Sequence, residues 1–79
     1  MLITIKQDNK AIDIKVNEQQ KIYDVLEVLD DKKLISVGDV YKVKSLRKNV
    51  YVIALKTFSD NGIYNGDILE IENQWNLQT

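Results

Sequence analysis

Met1, Ile3 and Ile5 interleave with Leu2, Thr4 and Lys6, the period-two pattern of a half-buried strand. The turn formers Gln7-Asp8-Asn9-Lys10 follow, and then Ile12, Ile14 and Val16 alternate with Asp13 and Lys15. The chain is therefore expected to open with a β-hairpin. Its apolar residues share one face and its charged residues largely the other, which predicts a sheet with one wet and one covered face.

The covering element is predicted immediately afterwards. Ile22, Val25, Leu26 and Leu29 fall at i, i+3, i+4 and i+7, one apolar stripe of a helix flanked by Tyr23 and Val28. Asp24 and Glu27 towards its start and Lys32 and Lys33 at its end match the helix macrodipole. The spacing predicts a helix over 21–33. Gln20 and Lys21 are not capping residues, which leaves Asn17 as the nearest good N-cap candidate.

Beyond Gly38, residues 40–46 alternate again, Arg47-Lys48-Asn49 reads as a turn, and Val50-Tyr51-Val52-Ile53 resumes in β-rich residues. A second hairpin is expected there. Residues 57–63 combine turn formers with two apolar anchors, Phe58 and Ile63, and Asn65-Gly66-Asp67 is a further turn signal. Ile68, Leu69 and Ile71, interleaved with Glu70 and Glu72, form a last strand. The order ββαββ, loop, β describes an α+β domain with its helix on one face. No repeat or linker divides it, so residues 1–72 are expected as one domain and 73–79 as a polar tail.

Composition narrows the function. A chain of 79 residues, 44% hydrophobic and 29% charged, builds one small core. A domain this size buries roughly 60% of its unfolded surface, which leaves little room for a deep substrate cleft. Cysteine and histidine are both missing, so thiolate chemistry, zinc ligation and the commonest general base are removed. Eleven basic against twelve acidic residues give a net charge of -1, without the basic excess that nucleic-acid binding requires. The N-terminus lacks a signal-peptide pattern, and no apolar run approaches the roughly 20 residues of a membrane span. The expectation is a cytoplasmic protein that does not insert into membranes.

Candidate chemistry is sparse. Asp67 with Glu70 or Glu72 is the constellation an enzyme would need, and Asp30-Asp31 or Asp60 with Asp67 the acidic pairs a metal would need. None has a calcium-loop spacing, so turn and helix-end roles are expected, with no catalytic residue, metal or cofactor. Lys42, Lys44, Arg47 and Lys48 form the dense basic cluster, fit either to recognise an acidic partner or to serve as a solvated face that discourages edge pairing. Tyr41 and Tyr51 are expected on facing strands, as an exposed aromatic pair or as cross-strand packing. Trp75 and Leu77 either return to the core or anchor a partner. Gly62 and Gly66 are expected in turns of positive φ.

Thr57-Phe58-Ser59-Asp60-Asn61-Gly62-Ile63, followed by Ile68-Leu69-Glu70-Ile71, resembles the threonine-leucine-serine-aspartate loop of ubiquitin, its isoleucine and its closing strand, without a gap. Over residues 1–72 the resemblance implies a ubiquitin-like β-grasp fold, a mixed sheet of four to five strands with one helix packed on one face. Residues 62–71, Gly-Ile-Tyr-Asn-Gly-Asp-Ile-Leu-Glu-Ile, are similar to the close of the small YukD/EsaB family, encoded with type VII (WXG100, ESX-like) secretion systems of Gram-positive bacteria. That resemblance implies a cytoplasmic accessory or regulatory factor that docks onto a membrane component or regulator of the secretion machinery and catalyses no reaction. Two alternatives stay open, a structural module buried in a larger complex and an adaptor unrelated to secretion.

Two departures from ubiquitin shape the expectation. Trp75-Asn76-Leu77-Gln78-Thr79 stands in place of a diglycine, so conjugation is not expected. Glu70 and Glu72 occupy final-strand positions that are apolar or weakly basic in ubiquitin's recognition patch, so binding to ubiquitin receptors is not expected either. The expected protein-binding surface is Tyr41, Lys42, Lys44, Arg47 and Lys48.

Overall fold

A computed structural model describes residues 1–73. Strands β1 (Leu2–Gln7) and β2 (Lys10–Lys15) form the opening hairpin, closed by a two-residue turn in which Asp8 takes a left-handed φ of 52°. Aspartate tolerates that conformation because its short side chain bonds locally. Helix α1 (Ile22–Asp31) follows, then β3 (Tyr41–Ser45), β4 (Val50–Tyr51) and β5 (Ile68–Asn73). The five strands make one mixed sheet in the order β2-β1-β5-β3-β4. β1 and β5 run parallel at its centre, and the remaining pairs are antiparallel. β5 extends through Asn73, one residue into the segment expected as tail.

The core lies between the sheet and the helix. Ile3, Ile5, Val43, Leu69 and Ile71 point inward from the strands, and Ile22, Leu26 and Leu29 meet them from the helix, as the stripe predicts. Val25 is half-buried beside them, whereas Val28 is exposed. Phe58 and Ile63, the two anchors of the long loop, are both buried, Phe58 completely. Among the described residues no helix is long and apolar enough to cross a membrane.

The helix is shorter than expected at both ends. Asn17 does not cap it: its Oδ1 accepts from the Gln19 N–H and its own N–H donates to Gln20 Oε1, each at 2.8 Å, which shapes the turn before the helix. The N-cap is Lys21, without a side-chain cap. The first helical N–H groups find loop carbonyls instead, Ile22 N–H donating to Lys56 O at 3.1 Å and Tyr23 N–H to Ala54 O at 2.7 Å. At the other end Lys32 is the C-cap and Lys33 sits at φ 62°. Lys33 N–H bonds Asp30 O and Leu34 N–H bonds Leu29 O, both at 2.9 Å, a Schellman closure that normally carries glycine at the Lys33 position.

β4 is also shorter than expected, ending at Tyr51 where the sequence suggests a strand to Ile53. The Val52 N–H still reaches Val43 O at 2.8 Å. At Ile53 the Asn61 carboxamide takes over, Oδ1 accepting from Ile53 N–H at 2.8 Å and Nδ2 donating to Ile53 O and Thr57 O at 2.9 Å. One side chain thus occupies the place of a neighbouring strand and releases the chain towards the helix.

Two substitutions test these features by urea denaturation. Asn61→Ala removes two bonds that tie the loop to Ile53 and a third within the loop to Thr57 O, so a loss of about 1–3 kcal/mol is expected; an unchanged midpoint would contradict that role. Lys33→Gly relieves a left-handed residue and should raise stability by about 0.5–1 kcal/mol.

Candidate functional site

The sheet face opposite the helix is the open one, and strand parity decides what it displays. β1 contributes Thr4 and Lys6, β5 contributes Glu70 and Glu72, β3 contributes Lys42 and Lys44, and β4 contributes Tyr51. Register aligns Lys6, Glu70, Lys44 and Tyr51 in one row across four strands. Lys6 Nζ lies 3.7 Å from Glu70 Oε2, a partly exposed pair of small energetic value. Lys42 and Lys44 place their ammonium groups 5.1 and 5.6 Å from the centroid of the Tyr51 ring, and the Tyr51 hydroxyl donates to Glu72 Oε1 at 2.9 Å. Exposed cation–π contacts of this kind contribute about 0.5–1 kcal/mol each and hold both lysines over one ring.

The basic cluster continues into the turn between β3 and β4, residues 46–49, where Asn49 adopts φ 59°. Lys48 reaches across the loop of residues 62–66, its Nζ 5.4 Å from the Tyr64 ring centroid. Its ammonium group lies where a Cβ on Gly62 would stand, and Arg47 Nη2 lies 3.6 Å from the corresponding point at Gly66. Both glycines have positive φ, 69° and 89°, as their turn role predicts. A buried hydrogen-bond network fixes this corner. Ser45 Oγ donates to the Asp67 carboxylate at 2.9 Å and accepts from Lys48 N–H at 3.2 Å, while Asp67 Oδ1 accepts from Ile68 N–H at 2.7 Å.

Tyr41 does not belong with the lysines. It pairs with Asn73 and packs half-buried against the core on the helix side, whereas Tyr51 pairs with Lys44 on the open face. The expected Tyr41–Tyr51 pair therefore lies on opposite faces of the sheet, because the two residues have opposite parity in the observed register. The five expected surface residues divide into Lys42 and Lys44 on the open face, Arg47 and Lys48 at the turn, and Tyr41 behind. Asp67 is likewise buried beside Ser45 on the inner side, away from Glu70 and Glu72 on the open face. Asp30 and Asp31 close the helix. Among the described residues no group of three or more carboxylates, cysteines or histidines is placed to hold a metal. Trp75 and Leu77 lie outside the described residues.

Several exposed apolar residues were not legible as surface. Val50, Ile53 and Leu55 are 48%, 55% and 69% exposed on and after the edge strand, and Tyr64 is 71% exposed. A β-rich run such as 50–53 reads as a strand with one buried face. Val52 and Ala54 are the members of this stretch that pack against the core, while Tyr51, Ile53 and Leu55 alternate with them and face outward.

No family model and no curated protein matches the chain. Its architecture does match a solved one: the solution structure of the N-terminal ubiquitin-like domain in the 4931431F19Rik protein superposes with a TM-score of 0.73. The match covers 100% of this chain and 79% of that one, at 9% identity. The fold is a ubiquitin-like β-grasp. The parallel β1–β5 centre, the single helix and the long loop before β5 are its parts, and at this identity the likeness concerns the fold alone. Within the β-grasp, the open face is the surface that the helix leaves bare.

Three tyrosines report on this geometry. A hydrogen bond to Glu72 raises the Tyr51 pKa above the ordinary 10.0, a hydrogen bond to Glu27 raises that of Tyr23, and burial raises that of Tyr41. Each holds its proton more tightly folded than unfolded, so its contribution is intact below pH 10.0 and is lost as pH rises through the folded value. In an alkaline titration followed by phenolate absorbance, Glu72→Gln should bring the Tyr51 component to lower pH, with Tyr51→Phe removing it. A profile unchanged by Glu72→Gln would sink the Tyr51–Glu72 bond.

Proposed function

We propose that this β-grasp domain acts by non-covalent protein binding and catalyses no reaction, with the β3–β4 end of the sheet as its docking surface. The observation that carries this reading is the charge distribution. Lys42, Lys44, Arg47 and Lys48 gather at one end with only Glu70 and Glu72 on the adjoining strand, in a chain whose net charge is -1. Val50, Ile53 and Leu55 add exposed apolar surface at the same strand edge. Apolar anchors inside a charged rim are the usual composition of a protein interface, the rim steering approach and the anchors supplying affinity. The partner is accordingly a protein with an acidic surface around an apolar contact.

The finer reading is an accessory or regulatory factor of a type VII secretion system, cytoplasmic and docked onto a membrane component or regulator. It is supported by the likeness of residues 62–71 to the close of the YukD/EsaB family. The exposed apolar edge also favours a second reading, a module held permanently within a larger complex, since such residues are best covered.

Affinity capture of the tagged protein from the cells that make it, with membranes solubilised, is the test. Recovery of a secretion-system membrane protein, weakened at least about tenfold by the combined K42E, K44E and K48E changes, is the expected result. A partner retained at full affinity by that variant would remove the docking surface, and recovery of unrelated soluble proteins alone would remove the secretion role.

A further inference from the structure

The other end of the sheet carries a second, independent surface. β2 is an edge strand, paired with β1 on one side only. Val16 N–H donates to Met1 O at 2.8 Å and the Met1 ammonium donates to Val16 O at 2.9 Å, so the even residues of this segment turn their peptide groups towards β1. Peptide groups alternate along an antiparallel strand, so those of Ala11, Asp13 and Lys15 face outward from the sheet. The side chains alternate as well: Ile12 and Ile14 are half-buried and Val16 buried on the helix side, while Ala11, Asp13 and Lys15 are exposed on the open face. A shallow groove of about 290 Å³ lies beside this edge, lined by Ile14, Val16, Val25, Val28 and Leu29 together with the polar Lys15, Gln20 and Asp24.

An exposed edge is commonly guarded by like charges that repel a second strand. Here the outward charges alternate in sign, Asp13 then Lys15. In an antiparallel pairing of two β2 strands about a two-fold axis at Ile14, Asp13 stands opposite Lys15 of the second copy and Lys15 opposite its Asp13. Ile14 meets Ile14 on the axis, and Ile12 meets Val16 on the apolar side. Asp13 and Lys15 are among the residues whose peptide groups face outward, so both charge pairs coincide with hydrogen-bonded positions. Sliding the register by two residues sets Asp13 against Asp13 or Lys15 against Lys15. Sliding it by one sets the apolar side of one strand against the charged side of the other.

We infer that β2 is a self-association edge whose occupant is a second copy of this chain, joined antiparallel in the Asp13–Lys15 register to give a continuous ten-stranded sheet. The half-buried Ile12 side chain of the second copy lies on the groove side and covers part of its mouth. The β3–β4 docking surface is at the opposite end of each sheet and stays free, so the dimer would present two copies of it.

Sedimentation equilibrium of the full chain tests this at concentrations up to about 1 mM, because edge pairing alone gives modest affinity. Wild type is expected to approach twice the 9.2 kDa monomer mass. D13K and K15D alone each place like charges opposite one another and should weaken association about tenfold or more. An equimolar mixture of the two variants, and the double variant D13K/K15D, restore opposite charges and should dimerise as wild type does. The mixture also guards against misfolding, since an unfolded variant could not be rescued by its counterpart. Wild type that stays monomeric throughout, or single variants that associate like wild type, would overturn the proposal. So would a mixture that stays monomeric.

Discussion

The start of the helix depends on a loop far away in sequence. Lys21 is extended, so the N–H groups of Ile22 and Tyr23 have no partner within the helix, and the carbonyls of Lys56 and Ala54 supply them. The pairing is mutual. Phe58 N–H donates to Gln20 O and Ser59 N–H to Glu18 O, at 3.1 and 2.9 Å, so the two segments run together as an irregular ladder. Phe58 is thereby delivered to the core, where it is fully buried in the same cluster as Ile22 and Leu26. Helix, loop and core are one cooperative unit: none of the three has its backbone satisfied or its apolar surface covered without the other two.

This arrangement divides the sheet into a stabilising face and an exposed one. The inner face of the sheet holds the apolar contacts, together with a buried Ser45–Asp67 bond that joins the ends of β3 and β5. Gln7 performs a similar task at the far end, where its side-chain amide donates to the Ser36 carbonyl and accepts from its N–H, tying the linker after the helix to β1. The open face carries charges, one ion pair of 3.7 Å among the described residues, and a tyrosine ring bracketed by two lysines. Interactions of that kind add little to folding. The fold consequently places few demands on the identities of those residues.

Much of the candidate site was legible as composition but not as geometry. The basic cluster stands out in the sequence, and Lys42 and Lys44 follow the alternation of β3 on to the open face. Tyr41 has the opposite parity and turns inward with Val43, so the same alternation that exposes the two lysines separates it from them. Arg47 and Lys48 leave the sheet because the four-residue turn ends in a left-handed asparagine. The exposure of Val50, Ile53 and Leu55 had no clear sequence signal, since a run with apolar residues at every position does not show which of its two faces is covered.

Local periodicity determined the elements that repeat with a regular period over several residues: β1, β2, β3, β5 and the stripe of the helix, with Phe58 and Ile63 as loop anchors. These patterns are self-sufficient because burial on one side selects the same parity or the same helical face at every step. What tertiary structure alone decided are the places where a backbone group bonds to something remote. Carbonyls from the loop set the start of the helix where Asn17 was the local candidate, and the Asn61 carboxamide ended β4. Hydrogen bonds between distant segments leave no period in the chain that makes them, so their partners become visible only once the chain has closed on itself.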